Sequence, residues 1–402
     1  MKKCTTIILT VIMGLTIILN LLAWKSTAFC DFYVEKIFPI WHNTYGRLTS
    51  LSSKSVGEIM IALFVILLAA AVILGIVAVI FFTIKKATKN QYKLTQKTMP
   101  VIKKIMSIYY RFILAVVTVT AFVLTLNCFI LYHCSTFKDK YLSEMLMNQD
   151  EYTVEELAAL RDYVVVRVNE YAKMMDRDEK GAIVYDGNME EEAIRSMQAL
   201  GDMYPQLSGY YTTPKQIQSS EFLSQQYMRG YYFPFSMEAN YNNVMYIIQQ
   251  PSTMCHELAH TKGFIYEDEA NLIGFLACIN SDNIVFQYSG YLSVLNYINN
   301  DFKESIGDNA AVYSSHVRIS NQVKRDNVFL TEDAWVKVET KAIIKTETVK
   351  KASNTFIETN LVLNGIEQGK ASYSEVVGLL MDYYSCSVDD WMNDEEYMAV
   401  NQ

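Results

Sequence analysis

A short polar stretch, CHELAHTKGFIYEDEAN, occupies residues 255–271 and carries side chains that can bind a metal ion. His256 and His260 are four residues apart, so on a helix their imidazoles share one face and can meet at one point. Zinc accepts nitrogen and oxygen ligands, and a catalytic zinc keeps three protein ligands and one open position. Glu257 follows the first histidine and can take a proton from a water nucleophile. The HExxH spacing therefore predicts a zinc-dependent hydrolytic site.

The third ligand is expected on a second helix that starts shortly after Gly263. Glu267 and Asn271 are four residues apart at the start of that helix. The pair resembles the ExxxD pattern of the gluzincins, the thermolysin-like zinc peptidases. In that pattern the glutamate binds zinc and the later residue contacts a ligand histidine, which implies these roles for Glu267 and Asn271. Glu269 is an alternative ligand, although it lies roughly 200° around the helix from Glu267.

Two other interpretations of this stretch are open from the residues alone. The residues HELAHTKGFIYE also fit the opening of the metzincin pattern, which would make Tyr266 the third ligand. Tyrosine is a poor zinc ligand and no Met-turn is evident, so the gluzincin-like arrangement is favoured. The other interpretation is a helical hairpin whose acidic residues only complement a helix N-terminus, worth about a few tenths of a kcal/mol. That interpretation explains the acids but not the HExxH before them.

A zinc peptidase also needs a donor for the developing oxyanion, commonly a Tyr, His or Arg side chain. Tyr288, Tyr291, His316 and Arg318 follow the HExxH stretch and are candidates. The chain has 28 tyrosines, so any one of them is more often a packing residue. The stretch YYFPFSMEAN is a candidate for the edge of the cleft, where a strand can pair with an extended peptide.

The elements before this site are apolar. Three stretches, at about 5–24, 59–84 and 112–132, are each near or above the roughly 20 residues that cross a bilayer as a helix. The first lacks a convincing cleavage site and its apolar core is longer than that of a usual signal peptide, which favours a retained span. Residues 1–134 are therefore predicted to form a membrane anchor with three transmembrane helices.

The charges between these stretches predict an orientation. Residues 85–111 contain eight Lys or Arg and no acidic residue, whereas the loop between the first two stretches mixes both signs. Positive residues favour the cytoplasmic side of the membrane. This predicts a cytoplasmic N-terminus and places everything after about residue 134 outside the cytoplasm.

Residues 135–402 are long enough to form one domain with a substantial core. Thr153 followed by Glu156 predicts a capped helix, YMRGYYFPF and Val244–Gln249 predict strands, and helical periodicity returns after Pro251. This pattern predicts an α+β domain with many helices and a small sheet. The seven cysteines form no CxxC pairs, which argues against a zinc ribbon or a disulfide scaffold. The lack of a basic patch interleaved with aromatic residues argues against nucleic-acid binding.

Several stretches together resemble a bacterial membrane family known as domain of unknown function 3810. They are IFPIWHNTYGRLTSLSSKSVGEIM, PFSMEANYNN, TMCHELAHTKGFIYEDEANLIGFLAC, QYSGYL and NGIEQGKASYSEVVGLLMDYY. The resemblance covers nearly the whole chain and implies a multi-pass protein of the bacterial cytoplasmic membrane with a zincin-like extracytoplasmic domain. It implies Zn2+ at His256 and His260, catalysis by Glu257, and Glu267 as the third ligand.

The leading hypothesis is a membrane-anchored zinc metallopeptidase that acts on peptides or proteins outside the cytoplasmic membrane. The HExxH lies about 120 residues beyond the last apolar stretch, in a segment too polar for an intramembrane protease. A catalytically silent zinc-fold sensor or binding module that signals through the membrane helices is a second hypothesis, but it would not need Glu257. A third is an amidase of cell-wall peptides, which would use the same water and base. The lipid bilayer is the expected partner in each case.

Overall fold

The computed structural model describes residues 2–87, 93–143, 152–363 and 375–386. The first part of the chain contains, in order, α1 (Lys2–Lys25), α2 (Thr27–Phe32), α3 (Phe38–Trp41), α4 (Arg47–Thr49), α5 (Val56–Ala87) and α6 (Lys93–Leu124). The later part contains α7 (Val154–Met174), α8 (Met189–Leu200), α9 (Ser220–Gln225), α10 (Gln250–His260), α11 (Glu267–Ile279), α12 (Ile284–Ser305), α13 (Ala310–Ser315), α14 (Asn321–Asp326), α15 (Glu332–Lys341), α16 (Thr346–Leu363) and α17 (Glu375–Cys386). The strands are β1 (Lys215–Gln216), β2 (Gly230–Phe233) and β3 (Glu238–Tyr241). The predicted α+β, mostly helical architecture with a small sheet is confirmed.

Three segments of helix are long and apolar enough to cross a membrane: Cys4–Lys25, Val56–Ile84 and Pro100–His133. They confirm apolar helices at the three predicted positions. The third segment begins before the predicted residue 112, because the basic stretch in front of it is itself helical from Lys93 onward. Beyond α6 this segment continues through a π-helical turn and a short 3-10 turn, which together extend it toward the domain.

The segment between α1 and α5 packs against the domain, whereas the sequence assigns it to the membrane anchor. It consists of short helices and π-helical turns. The buried His42 ring lies 2.8 Å from the Thr261 carbonyl oxygen, and the Thr49 hydroxyl donates to the Ser236 carbonyl oxygen at 2.9 Å. The parts on either side of the predicted boundary at residue 134 therefore share one folded body.

The sheet has the order β1-β3-β2, with β1 parallel and β2 antiparallel to β3. The predicted strand in YMRGYYFPF is present as β2, but the predicted strand at Val244–Gln249 is wrong. There the Asn242 side chain accepts a hydrogen bond from the Val244 N–H at 3.0 Å, and a 3-10 turn covers Ile247–Gln249. A side chain that bonds to the backbone two residues later turns the chain and prevents an extended ladder.

Local signals define the ends of the helices that matter most here. Thr153 and Glu156 form the predicted capping box at the start of α7. Pro251 lies in the first turn of α10, where its missing N–H costs nothing. Gly263 has a φ of 93° in the turn between α10 and α11, a conformation that favours glycine.

A second hydrophobic core, which we term the junction cluster, joins the apolar helices to the domain. Its buried members are Ala23, Cys30, Tyr33, Val34, Phe38, Leu126, Ile130, Leu131, Met237 and Ile265. The ends of α1 and of the third apolar segment supply several of these side chains, while Met237 and Ile265 come from the domain. Tyr232 of β2 and Tyr266 pack against the cluster. The ends of these helices that face the domain are therefore fixed relative to the sheet and to the start of α11.

Glu238 of β3 is a fully buried carboxylate that connects the sheet to α5. It accepts hydrogen bonds from the Val56 and Gly57 N–H groups at 3.2 and 2.9 Å, which are free donors at the N-terminus of α5. It also accepts from the Ser236 hydroxyl at 2.7 Å and forms a buried ion pair with Lys215. A negative charge is favourable at this end of a helix.

Replacement of Glu238 by glutamine is expected to lower the free energy of unfolding by about 3–5 kcal/mol, because it leaves the Lys215 ammonium buried without its counter-ion. Denaturant unfolding of the purified chain in detergent micelles measures this change. The matched control is Glu221→Gln, which breaks a more exposed pair with Lys341 and should cost less than about 1 kcal/mol. Equal losses in the two variants would contradict the role of Glu238.

Candidate metal centre

The end of α10 and the start of α11 bring three ligand-type side chains together. His256 Nε2 lies 3.1 Å from His260 Nε2 and 3.2 Å from Glu267 Oε2. The distance from His260 Nε2 to Glu267 Oε1 is 4.0 Å. One ligand atom from each residue lies within 4.8 Å of the other two. Among the residues that the structure describes, no other group of three His, Cys, Asp or Glu side chains was found at such spacing.

Two glycines allow the helices to approach in this way. Gly263 reverses the chain after His260, so that Glu267 returns to the level of the histidines at the first turn of α11. Gly274 lies where α11 crosses α10, and a Cβ atom added there would lie only 3.1 Å from the His256 backbone nitrogen. A contact this short is tighter than most real Cβ contacts, so a residue without a side chain fits best at this crossing. The helical hairpin therefore brings a ligand from each helix to the same point.

The second ring nitrogen of each histidine is held by a hydrogen bond. His256 Nδ1 donates to the Asn271 side-chain oxygen at 3.0 Å, and His260 Nδ1 donates to the Phe264 carbonyl oxygen at 2.7 Å. Both Nε2 atoms then carry lone pairs that face each other at 3.1 Å. Two such lone pairs repel unless a proton or a metal ion lies between them. Ligand histidines in metal sites are oriented by this kind of second hydrogen bond.

The donor set fits zinc. Zinc–nitrogen and zinc–oxygen bonds of about 2.0–2.2 Å in a tetrahedron put neighbouring ligand atoms about 3.3 Å apart. Two of the three separations, 3.1 and 3.2 Å, are close to this value. Two imidazoles and one carboxylate also form one of the ligand sets that catalytic zinc uses. His256, His260 and Glu267 can therefore hold zinc with small adjustments of their side chains.

Glu257 directly follows His256 in α10 and is only 5% exposed. The backbone N–H of Tyr232 in β2 acts on its carboxylate by lowering the pKa, whereas the buried Oε2 atom has no hydrogen-bond partner within the protein. Gly230 of β2 faces the same carboxylate, and a Cβ atom added there would lie 2.6 Å from Glu257 Oε1. The strand thus fixes Glu257 on one side and leaves one oxygen available for a ligand.

Burial and mutual charge determine the ionisation of these groups. Burial raises the pKa of Glu257 to about 8, an effect that His256 opposes and Glu267 reinforces. Burial also favours the neutral form of Glu267, but its contacts with His256 outweigh this and lower its pKa. For His256 burial acts downward, while Glu267 and Glu257 produce a net rise in pKa. Burial, together with the charge of His256, lowers the pKa of His260 to about 4.

The remaining residues proposed from the sequence make contacts outside this group. The Glu269 carboxylate accepts a hydrogen bond from the buried Phe137 N–H, so it supports the segment after the third apolar helix. The oxyanion candidates bond to other parts of the domain: Tyr288 to Asp326 at 2.8 Å, Tyr291 to Tyr163 at 3.2 Å, His316 to Asp162 at 2.8 Å, and the Arg318 carbonyl oxygen to Asn169 at 2.9 Å.

Two residues that the sequence did not single out lie on or next to elements that pack against α10, namely α12 and β2. Tyr297 of α12 is half-buried, and its pKa is raised first by burial, while Arg229 opposes the rise and Glu267 adds to it. Its phenol is therefore within electrostatic range of both a ligand carboxylate and a guanidinium. Arg229 directly precedes Gly230, and its side chain is exposed. In the sequence, Arg229 could have been noticed as the one arginine inside the predicted strand segment YMRGYYFPF.

Comparison with known proteins gives a family but no characterised relative. No curated protein matches the chain, and no solved structure matches it. The sequence does match the family described as "Protein of unknown function (DUF3810)" over residues 33–381, a range that includes the candidate metal centre and most of the junction cluster. Because this match covers most of the chain, the protein belongs to the DUF3810 family.

Proposed function

We propose that this protein is a membrane-anchored zinc metallopeptidase that hydrolyses peptide bonds outside the cytoplasmic membrane. The observation that carries the proposal is the convergence of His256, His260 and Glu267 next to the buried carboxylate of Glu257. A site that only binds a metal needs the three ligands. A carboxylate with one unpartnered oxygen beside them is what a hydrolase needs in addition.

Each side chain of the site has a defined task in this reaction. Zinc, when bound, polarises the scissile carbonyl and lowers the pKa of water. Glu257 accepts the proton of the attacking water through its free oxygen and later donates that proton to the leaving amine. The Tyr232 N–H holds the other side of the carboxylate during both transfers. A raised pKa suits a group that must first accept and then donate a proton near neutral pH.

Arg229 and Tyr297 are the proposed donors to the oxyanion. Tyr297 lies half-buried on α12, which packs against both α10 and α11. Arg229 directly precedes Gly230, whose backbone faces the Glu257 carboxylate. Donors that face the position where negative charge develops stabilise the transition state more than the ground state. These two residues therefore replace Tyr288, Tyr291 and His316 as our candidates for this task.

Two observations support placing the domain outside the cytoplasm: its contacts with the segment between α1 and α5, and the position of the basic residues in the chain. The segment between α1 and α5 packs against the domain, for example through His42 and Thr49, so both lie on the same side of a membrane crossed by the three helices. The basic residues Lys85 and Lys86 lie at the opposite end of α5, and those from Lys93 to Arg111 lie in the first part of α6. Basic segments favour the cytoplasmic side, which leaves the domain outside.

One observation favours a second function, a zinc-fold sensor that signals through the membrane helices. Glu238 joins β3 directly to the N-terminus of α5, so a change in the sheet would reach a membrane helix. A sensor would need its ligands but not a proton acceptor. The response of the protein to loss of the Glu257 carboxylate distinguishes the two functions.

The purified full chain is expected to bind about one zinc per molecule, because the three ligands and one open position form a single site. Elemental analysis after dialysis measures the content. His260→Ala should abolish zinc binding, Glu267→Ala should weaken it strongly, and Asn271→Ala should weaken it by about 10–100-fold. Glu269→Gln is the matched control and should keep the wild-type content. A folded wild-type protein without zinc under zinc-replete conditions would contradict the site.

Glu257→Gln is expected to retain zinc and to lose peptide hydrolysis by about 10²-fold or more, because glutamine cannot accept the proton of the attacking water. Turnover of fluorogenic peptides by the zinc-loaded protein measures the loss, and cell-wall peptides assayed in parallel test the amidase alternative. Wild-type rates in Glu257→Gln would overturn the catalytic assignment. Zinc binding without hydrolysis of any substrate would favour the sensor.

Gly230→Ala is expected to lower kcat by about 100-fold while zinc stays bound. The new methyl carbon would lie 2.6 Å from both Glu257 Oε1 and the Asn240 carbonyl oxygen. Because these contacts are too short, the carboxylate would have to move, and a misplaced catalytic group lowers the rate. Gly378→Ala in α17 is the control, since a Cβ atom there has no neighbour within 4 Å. Full activity in Gly230→Ala would show that β2 does not position Glu257.

A further inference from the structure

The candidate metal centre lies one side chain away from the end of the third apolar segment. Glu267 directly follows Tyr266, and the Tyr266 hydroxyl donates to the Tyr132 carbonyl oxygen at 2.6 Å. The two tyrosine rings also contact each other edge to face, with centroids 5.6 Å apart. One tyrosine side chain and one peptide unit therefore separate the ligand from the Pro100–His133 helix, a distance of roughly 10 Å.

Strand β2 gives a second, independent route of similar length. It begins at Gly230 against Glu257 and ends at Phe233, whose ring closely contacts Gly57 at the start of α5. The next residue, Pro234, accepts a hydrogen bond from the Asn127 side chain of the third apolar segment at 2.7 Å. Four residues of extended strand span roughly 13 Å. The strand thus runs from the candidate site to the ends of two apolar helices.

The membrane boundary on this side is indicated by aromatic and charged residues. The Trp24 ring packs on the His133 ring at a centroid distance of 4.5 Å, and Lys25 follows directly. Tryptophan is enriched at the interface between bilayer and water. In α5 the first charge is Glu58, which accepts hydrogen bonds from the Gln218 and Ser219 N–H groups at 2.7 and 2.9 Å. After Glu58 the helix has no charged residue until Lys85.

Aromatic side chains surround the end of β2 at this same level. Tyr231, Phe233 and Phe235 are half-buried and contact one another in sequence, with ring centroids 6.3 and 5.4 Å apart. Tyr232 on the opposite face packs against the junction cluster, and its ring centroid lies 6.3 Å from that of His260. A polypeptide leaving the bilayer beside these rings would meet an aromatic surface that leads to the metal ligands.

We infer that the substrates of this site are polypeptides anchored in the same membrane, cut within about three to five residues of the point where they leave it. An extended chain covers roughly 3.3 Å per residue, so three to five residues span the 10–15 Å between the boundary and the ligands. Anchoring also gives the substrate a high effective concentration at the site. This inference rests on the proposed peptidase function and specifies its substrate class.

The test uses the zinc-loaded full chain in liposomes with synthetic substrates of one transmembrane helix. A single fluorogenic peptide follows that helix after an uncleavable Gly-Ser spacer of 3 or 25 residues, and the same peptide is also supplied free. The 3-residue spacer is expected to give cleavage about 20-fold faster than the 25-residue spacer, since effective concentration falls roughly as the −3/2 power of linker length. Glu257→Gln is the inactive control.

A second readout does not depend on turnover. In a Glu257→Gln background, a photo-crosslinking phenylalanine derivative at Phe235 should capture the substrate with the short spacer more efficiently than the free peptide. The same derivative at the exposed Val312 of α13 is the control and should show no preference. Mass spectrometry of the crosslinked peptide then reports how far from the membrane helix the substrate is held.

The outcomes separate the two proposals. Equal cleavage of the free peptide and of both anchored substrates would overturn the inference about substrate class and leave the peptidase function in place. Absence of any Glu257-dependent cleavage in the zinc-loaded protein would overturn the peptidase function and, with it, the assignment of substrates. Selective crosslinking from Phe235 would in that case identify anchored polypeptides as ligands of a sensor.

Discussion

The close contact between α10 and α11 is the constraint on which the candidate site depends. Gly274 lets the α11 backbone approach His256, and Gly263 turns the chain sharply enough for Glu267 to reach the two histidines. With a longer turn or a bulkier crossing residue, the carboxylate would not lie 3.2 Å from the first imidazole. The conformation of the hairpin therefore determines the distances among the three candidate ligand atoms, and those distances determine which metal ion could fit.

Four glutamates show how environment gives one residue type different roles. Glu267 is held ionised by the histidines, which suits a ligand, whereas burial raises the pKa of Glu257, which suits a proton carrier. Glu238 pairs with a lysine and caps the apolar helix α5, and Glu269 binds a backbone N–H group. The sequence shows four acids near apolar residues, but only their neighbours in space give them different ionisation and different contacts.

The junction between the apolar helices and the domain fixes the position of the candidate site relative to these helices. β2 contacts Glu257 at its start and α5 at its end, while Tyr266 joins the first turn of α11 to Tyr132. A domain on a flexible linker could lie at any distance from the apolar helices. Here the packed junction cluster fixes that distance.

Local patterns in the sequence were sufficient to predict the apolar helices, the capping box at Thr153 and the pairing of His256 with His260. Each of these features depends on residues within a few positions of one another. The sequence also pointed to Glu267 through its spacing from Asn271. It misassigned Val244–Gln249 and did not single out Tyr297, because those positions depend on contacts between distant parts of the chain. Tertiary packing alone decided that β2 holds Glu257 and that the segment after α1 joins the domain, since burial and close backbone approach arise only when remote segments meet.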